Sequence, residues 1–306
     1  MAENQGVNGD IWNDKALQLL QLLGWDHIGD TNMDIPGSDG KEYGVDALLT
    51  SPTPKMSVSQ CAVLESKRYS VESLKNGTIQ KWINRLRQKL DAFHQSQKLM
   101  EEFPSLEECC PMNLGIIMCW VHDAPDEGYF ENTFESYLNN TIINTAATHS
   151  SFKRILVLSN PRILRLCALA EIIQKSKYSY RYIYPSQLLG DRPVVKSTVL
   201  TIEYAMSDFI LAERSKKGET QLVVFFLGKL SSIGFKCLYE ALIMYNLLEQ
   251  GKKTIIYYYG SDAENRVALS EGKRRFKEID SDFRALTMFN FNTEPALLNK
   301  NHDDDE

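Results

Sequence analysis

The stretch Gly44–Ser70, GVDALLTSPTPKMSVSQCAVLESKRYS, places an aspartate in one apolar run and a glutamate and a lysine at the end of another. The runs GVDALLT and CAVLESK predict two short strands, and the prolines between them are typical of a connection outside a sheet. If the strands pair as a hairpin, Asp46 and Glu65 meet at one end of the sheet. Lys67, two residues after Glu65, is then expected on the same face as Glu65.

These residue types suit a metal site. A hard cation such as Mg²⁺ takes oxygen ligands and keeps several waters, so Asp46, Glu65 and the backbone carbonyl of Ser66 form a predicted ligand set. The ammonium of Lys67 would orient an attacking water and offset charge that develops on a phosphate. Together these groups supply what phosphodiester hydrolysis requires.

The flanking sequence predicts helices on both sides of this hairpin. Residues 11–24 have apolar residues at roughly helical spacing and end at Gly24. From an N-cap at Thr78, apolar residues recur at intervals of three and four, which predicts a long amphipathic helix to about Met100. Strands and helices then alternate to residue 185, which indicates an α/β layered fold.

Asp46, followed by Glu65-Ser66-Lys67 at the end of an apolar strand and flanked by these helices, resembles the PD-(D/E)xK nuclease superfamily, which includes restriction endonucleases and Holliday-junction resolvases. Val45 stands where the nominal motif has proline. The resemblance covers roughly residues 10–185. It implies an α/β fold with a restriction-endonuclease-like core, in which helices flank a mixed central sheet.

The resemblance also implies roles for single residues. Asp46 and Glu65 would be metal ligands, Lys67 the catalytic lysine, and Mg²⁺ the cofactor, with Mn²⁺ as a substitute. Members often add an acidic residue from the first helix, for which Asp14 and Asp10 are candidates, with helix capping or solvation as the alternative. Glu42 is a candidate supporting residue, or a turn residue.

Charge is distributed unevenly along the chain. The net charge is −6, but Lys67 to Lys98 holds eight basic and two acidic residues. A basic stripe beside a metal site is typical of phosphate binding, and a solvated helix face is the alternative. The predicted nucleic-acid-binding residues are Arg68, Lys75, Lys81, Arg85 and Lys89.

The second half of the chain also alternates strands and helices. We predict a nuclease-like domain over residues 1–190, a second, smaller α/β domain over 191–298, and an acidic tail over 299–306. An offset of 162 residues carries Asp46 to Asp208, Glu65 to Leu227 and Lys67 to Lys229. The second domain is therefore interpreted as a degenerate copy of the core without the second carboxylate, with a chance match as the alternative.

Composition narrows the class of protein. With 306 residues, 43% of them hydrophobic and 24% charged, the chain has the composition of an ordinary globular protein. Its beginning does not resemble a signal peptide, and no run approaches a membrane span, so we expect a cytoplasmic protein with no membrane partner. The six cysteines have no C-x-x-C spacing, which argues against zinc or disulfides.

The leading hypothesis is a Mg²⁺-dependent endonuclease, with double-stranded DNA as the expected substrate. The resemblance suggests an effector of restriction or phage defence that works as a homo-oligomer or in a hetero-complex with a sensing partner protein. Two alternatives stay open. One is a catalytically inactive nuclease-fold scaffold or nucleic-acid-binding subunit, and the other is a Holliday-junction-resolvase-like enzyme.

Overall fold

The computed structural model describes residues 7–54, 57–94, 96–141, 153–185, 194–248, 254–260, 262–279 and 286–290. The chain divides into two compact units, Met1–Ile163 and Leu164–Glu306. Each unit has its own central sheet.

The first unit holds, in chain order, α1 (Val7–Leu22), β1 (Asp26–Ile28), β2 (Met33–Pro36), β3 (Glu42–Val45), β4 (Ala47–Ser51), β5 (Gln60–Tyr69), α2 (Asn76–Phe93), α3 (Gln97–Glu102), a 3₁₀ turn (Pro104–Glu108), β6 (Leu114–Val121), α4 (Glu127–Tyr129), a π-helical turn (Phe130–Phe134), α5 (Glu135–Asn139) and β7 (Arg154–Leu158). Helix α6 (Asn160–Lys175) follows and runs across the division between the units.

The first sheet is mixed and has the strand order β1-β4-β5-β6-β7. Strand β4 runs antiparallel to β1 and β5, whereas β5, β6 and β7 are parallel to one another. The predicted hairpin is therefore present, with Ala47 opposite Leu64. This register brings the residue before β4, Asp46, to the level of Glu65.

Helices cover both faces of this sheet. Apolar residues of α2 at helical spacing are buried, among them Trp82, Leu86 and Phe93. They share a core with Val63 of β5 and Ile117 of β6. On the other side α1 packs against β5, and the indole N–H of its Trp12 donates to the Met118 carbonyl at 3.1 Å.

Local details around the hairpin differ from the prediction. The segment before Asp46 is rich in glycine, aspartate and proline, which is typical of a loop, but it forms the antiparallel pair β2–β3, in which Ile35 lies opposite Tyr43 and is buried. The long helix begins at Asn76 and ends at Phe93, and its N-cap is Lys75 rather than Thr78. A separate helix, α3, then begins after Ser96, whose side chain accepts the Leu99 N–H.

The second unit holds β8 (Ser179–Pro185), β9 (Val194–Ser197), α7 (Ile202–Ala205), β10 (Phe209–Lys216), β11 (Glu219–Phe226), α8 (Ser232–Met244), β12 (Thr254–Tyr258), α9 (Asp262–Ile279) and β13 (Leu286–Asn290). Its sheet has the order β13-β12-β11-β10-β8-β9. Strand β10 is antiparallel to β8 and β11, and β11, β12 and β13 are parallel.

The second unit thus repeats the strand order and directions of the first, with β8, β10, β11, β12 and β13 in the places of β1, β4, β5, β6 and β7. In the β10–β11 hairpin Phe209 lies opposite Phe226, which is the β4–β5 register offset by 162 residues. Its core joins β11 residues such as Phe226 to Phe235 of α8 and Phe276 of α9.

Strand β8, which falls inside the predicted first domain of residues 1–190, is hydrogen-bonded into the second sheet. The division by contacts, between Ile163 and Leu164, lies before the predicted boundary. That boundary at residue 190 and the acidic tail lie outside the described residues. No helix in the described part of the chain is both long and apolar enough to cross a membrane.

Candidate active site

Asp46 occupies the break between β3 and β4, where the backbone leaves the small hairpin and enters the first sheet. Its carboxylate Oδ2 accepts the backbone N–H of Ser66 at 2.5 Å, and its carbonyl accepts the N–H of Asn32 at 3.0 Å. Asn32 has a positive φ of 54°, a conformation that asparagine tolerates better than most residues. Asp46 is therefore fixed through both its backbone and its side chain.

Glu65 and Lys67 lie on β5 with the same orientation, because side chains alternate along a strand. Lys67 Nζ is 3.0 Å from Glu65 Oε2. The other oxygen, Oε1, accepts a hydrogen bond from Lys89 Nζ, which comes from α2 and also donates to the Gly44 carbonyl at 2.5 Å. The Glu65 carboxylate is thus held between two ammonium groups.

Burial changes the acid–base properties of Asp46. Desolvation raises its pKa from 3.8 to about 6; the nearby ammonium of Lys67 opposes this rise, and the carboxylate of Glu65 adds to it. The ionised form of Asp46 therefore lacks the solvation that water gives an exposed carboxylate. A cation bound to Asp46 would compensate for this loss.

These groups line one open cavity of about 470 Å³ in the first unit. Of the predicted residues, the cavity brings together Asp46, Glu65, Ser66, Lys67, Arg68, Arg85 and Lys89. Its wall, which also includes the predicted candidate Asp10, therefore combines three carboxylates with four basic side chains. Such a wall suits a polyanionic ligand that binds through a metal ion.

Four of the predicted residues are not part of this wall. Asp14, on α1, and Glu42, on β3, are exposed and do not line the cavity. Lys75 and Lys81 are exposed at the start of α2 and do not line it either. The acidic residue that α1 contributes to the wall is Asp10, one helical turn before Asp14.

The cavity also contains residues that the sequence did not single out for function. Asn13 of α1 donates its amide to Asn32 Oδ1 at 2.8 Å, and both line the cavity. The buried side chains of Trp12 and Trp82 also border it. The contact between Lys89 and Glu65 does not follow from the sequence pattern, because the basic stripe predicts only that Lys89 binds phosphate.

The donor set fits one class of metal. In the described residues, no group of three or more histidine, cysteine or acidic side chains could hold a metal ion. Mg²⁺, however, is commonly bound by one or two carboxylates with water and substrate phosphates completing its shell. The two adjacent carboxylates of Asp46 and Glu65 therefore fit Mg²⁺ or Mn²⁺ better than zinc.

The equivalent place in the second unit has different chemistry. Asp208 precedes β10 as Asp46 precedes β4, but the residue at its level, directly after β11, is the buried Leu227. The backbone carbonyl of Asp208 accepts the N–H groups of Leu227 and Gly228 at 2.7 and 2.8 Å. The second unit therefore keeps the hairpin and one carboxylate, with an apolar side chain in place of Glu65.

A mixed sheet flanked by helices, with Asp46, Glu65 and Lys67 at one end of its central hairpin, defines a PD-(D/E)xK-type nuclease domain. The family model described as "GAPS4 protein PD-(D/E)XK nuclease domain" matches residues 1–162. The chain belongs to this family, a family of anti-phage defence nucleases. No curated protein sequence matches the chain.

Proposed function

We propose that this protein is a metal-dependent endonuclease that hydrolyses phosphodiester bonds in DNA as an effector of phage defence. The observation that carries the proposal is the pairing of Asp46 with Glu65 beside Lys67 in the cavity wall. A non-catalytic scaffold has no physical need to gather a buried and a half-buried carboxylate next to an ammonium group, because desolvating them is costly.

Asp46, Glu65 and the Ser66 carbonyl would hold Mg²⁺, with Mn²⁺ as a substitute. When bound, the metal supplies a polarised water and positive charge beside the scissile phosphate. The ammonium of Lys67 forms an ion pair with Glu65, so it is oriented toward the same place. There it positions the attacking water and stabilises negative charge that develops on the phosphate oxygens.

Arg68 and Arg85 are the side chains proposed to hold the flanking phosphates, because both line the cavity beside the carboxylate pair. Lys75 and Lys81 are proposed as more distant phosphate contacts. Binding through several such cations weakens steeply with salt. The net charge of −6 opposes strong non-specific binding of nucleic acid by a single chain, which favours a complex with further copies or with a sensing partner. We place this complex in the cytoplasm as part of the proposal.

The second unit is proposed as an inactive copy of the nuclease core that serves assembly or partner binding. Leu227 cannot ligate a metal, and one carboxylate, Asp208, is a poor site by itself. The shared strand order and the shared hairpin register support duplication rather than a chance resemblance.

Cleavage assays on duplex DNA, branched DNA and RNA test the proposal directly. The full chain is incubated with Mg²⁺, Mn²⁺ or EDTA, alone and with any protein that co-purifies with it. We expect metal-dependent cutting of DNA that Glu65→Gln abolishes and that Asp14→Asn, an exposed change outside the cavity, preserves. Equal inactivity of wild type and Glu65→Gln under every condition, with nucleic acid still bound, would favour the scaffold function instead.

A further inference from the structure

Lys89 is built into the carboxylate site and does not lie on a solvated face of α2. Its side chain is 16% exposed, and that of its partner Glu65 is 9% exposed. Its ammonium contacts Glu65 Oε1 and donates to the Gly44 carbonyl at 2.5 Å. One cation therefore connects the Glu65 side chain to the backbone that leads into Asp46.

This position has the properties of a cation site. An ammonium offers three donors and one positive charge, and here two different oxygens converge on it. One of them, Glu65 Oε1, belongs to the carboxylate proposed as a metal ligand. Lys67 holds the other oxygen of the same carboxylate at 3.0 Å. A metal ion that binds either oxygen of Glu65 therefore lies close to an ammonium, and the two cations repel each other.

Charge balance favours the departure of one ammonium when a metal binds, and the positions of the two lysines indicate which one departs. Asp46, Glu65, Lys67 and Lys89 are neutral in sum when all four are ionised, so adding a divalent cation leaves two excess positive charges in a largely buried place. Lys67 is tied to the same strand as Glu65. The proposed function keeps the Lys67 ammonium beside the metal, where it acts on the phosphate, whereas Lys89 lines the cavity from α2 and has no such role.

We propose that Lys89 is the resident counter-ion of the metal site: its ammonium occupies Glu65 Oε1 in the metal-free chain and leaves when a divalent cation binds. The inference rests on the proposed function, because it requires a metal at Asp46 and Glu65. Metal entry thereby frees a positive charge one helical turn from Arg85, where it takes a phosphate of the substrate. Metal and nucleic acid then bind cooperatively, and the metal binds weakly without substrate.

Calorimetric titration of the full chain with Mn²⁺, in the absence of nucleic acid, measures the competition. Lys89→Met is expected to bind Mn²⁺ about tenfold more tightly than wild type, the size of one charge-assisted hydrogen bond removed from the competition. Arg85→Met is the matched control, because it removes the same charge from the same helix and the same cavity wall. It should change the affinity less than about threefold, an effect of long-range charge alone.

Glu65→Gln separates the two proposals. Should Glu65→Gln lose Mn²⁺ binding while Lys89→Met binds no more tightly than Arg85→Met, the counter-ion inference is overturned and the metal site stands. Should wild type and Glu65→Gln behave alike toward Mn²⁺, the metal site itself is wrong, and the inference is wrong with it.

Cooperativity is measured by repeating the titration with a DNA duplex that carries non-cleavable phosphorothioate linkages. The duplex should tighten Mn²⁺ binding by wild type several-fold and should tighten it less in Lys89→Met. An equal effect on both proteins would contradict the role of Lys89 in the coupling.

A measurement on the wild-type protein needs a variant only to assign one resonance. With ¹⁵N-labelled lysine side chains, the Lys89 ammonium should be protected from solvent exchange in the metal-free protein, with its resonance assigned by Lys89→Arg. Saturation with Mg²⁺ should remove that protection. A Lys89 resonance that stays protected at saturating Mg²⁺ would overturn the inference.

Discussion

The hairpins at the centres of the two sheets have the same register but carry different side chains at the end where the first unit has its carboxylates. In the first, Asp46 lies level with Glu65, and Lys67 and Lys89 hold the two oxygens of that glutamate. In the second, Asp208 lies level with Leu227, which is fully buried. The same sheet topology therefore forms with and without the second carboxylate, and the chemistry depends on a few side chains that the fold does not need.

Substitution of each aspartate by asparagine gives the largest expected difference in cleavage rate between the two hairpins. Asp46→Asn should lower the rate of DNA cleavage by about a thousandfold or more, because it removes a proposed metal ligand. Asp208→Asn should leave the rate within about twofold of wild type. Single-turnover cleavage rates at saturating Mg²⁺ make the comparison, and equal losses in the two variants would contradict the assignment of chemistry to the first unit.

Substitutions of the two lysines at equivalent positions should differ nearly as much in their effect on the cleavage rate. Lys67→Met is expected to slow cleavage by about a hundredfold, since its ammonium serves the charge developing on the phosphate. Lys229→Met, at the equivalent place in the second unit, should slow it less than twofold. Mn²⁺ affinity of Lys67→Met should not weaken, which distinguishes a lysine that acts on the phosphate from one that only supports the metal ligands.

A pH-dependent stability difference should follow from the carboxylate pair that the second unit lacks. Because burial raises the pKa of Asp46 to about 6, the folded chain holds this proton more tightly than the unfolded chain. The free energy of unfolding therefore falls as the pH rises from about 4 to about 6 and then levels off. The Asp46→Asn variant has no carboxylate at this position and so does not lose this free energy. Its free energy of unfolding relative to that of wild type should rise by about 2 kcal/mol across that window.

Tryptophan fluorescence during urea unfolding in EDTA measures this difference. All four tryptophans, Trp12, Trp25, Trp82 and Trp120, lie in the first unit, so the signal reports on the unit that contains Asp46. Parallel stability curves for the two proteins between pH 4 and pH 8 would show that Asp46 titrates as it does in the unfolded chain.

The last comparison concerns stability alone, at the residue that follows Glu65 in the first unit and Leu227 in the second, which is Ser66 and Gly228 respectively. A methyl group on Gly228 would lie 2.8 Å from atoms of Asp208, so Gly228→Ala should destabilise the second hairpin by about 1–3 kcal/mol. The buried Ser66 hydroxyl has no hydrogen-bond partner within the described residues, so Ser66→Ala should change stability by less than about 0.5 kcal/mol. Amide hydrogen exchange of β11 and β5 measures each effect, and a reversed order of the two would contradict the packing described for Asp208.

Much of this comparison could be predicted from the sequence. The apolar runs around Asp46 and Glu65 predict the hairpin, and the alternation of side chains along β5 places Lys67 beside Glu65. The offset of 162 residues predicts the matching hairpin around Asp208. Each of these inferences rests on local periodicity, which the first and second sheets both preserve.

Other features depend on tertiary contacts that periodicity does not encode. The hairpin β2–β3 forms because Ile35 is buried against the core, although its sequence is rich in turn residues. Lys89 reaches Glu65 because of the position at which α2 packs along β5. A basic stripe on a helix does not specify that position. The choice of Asp10 over Asp14 in the cavity wall similarly depends on how α1 is rotated against the sheet.

Mn²⁺ binding to the full chain tests the central claim most directly, because it asks where the metal site lies without requiring the correct substrate or partner. Wild type, Glu65→Gln and Asp208→Asn are titrated by calorimetry at one pH and salt concentration. We predict that Glu65→Gln weakens binding by at least thirtyfold and that Asp208→Asn leaves it within twofold of wild type. Binding that survives Glu65→Gln or disappears in Asp208→Asn would contradict a metal site in the first unit built on Asp46 and Glu65.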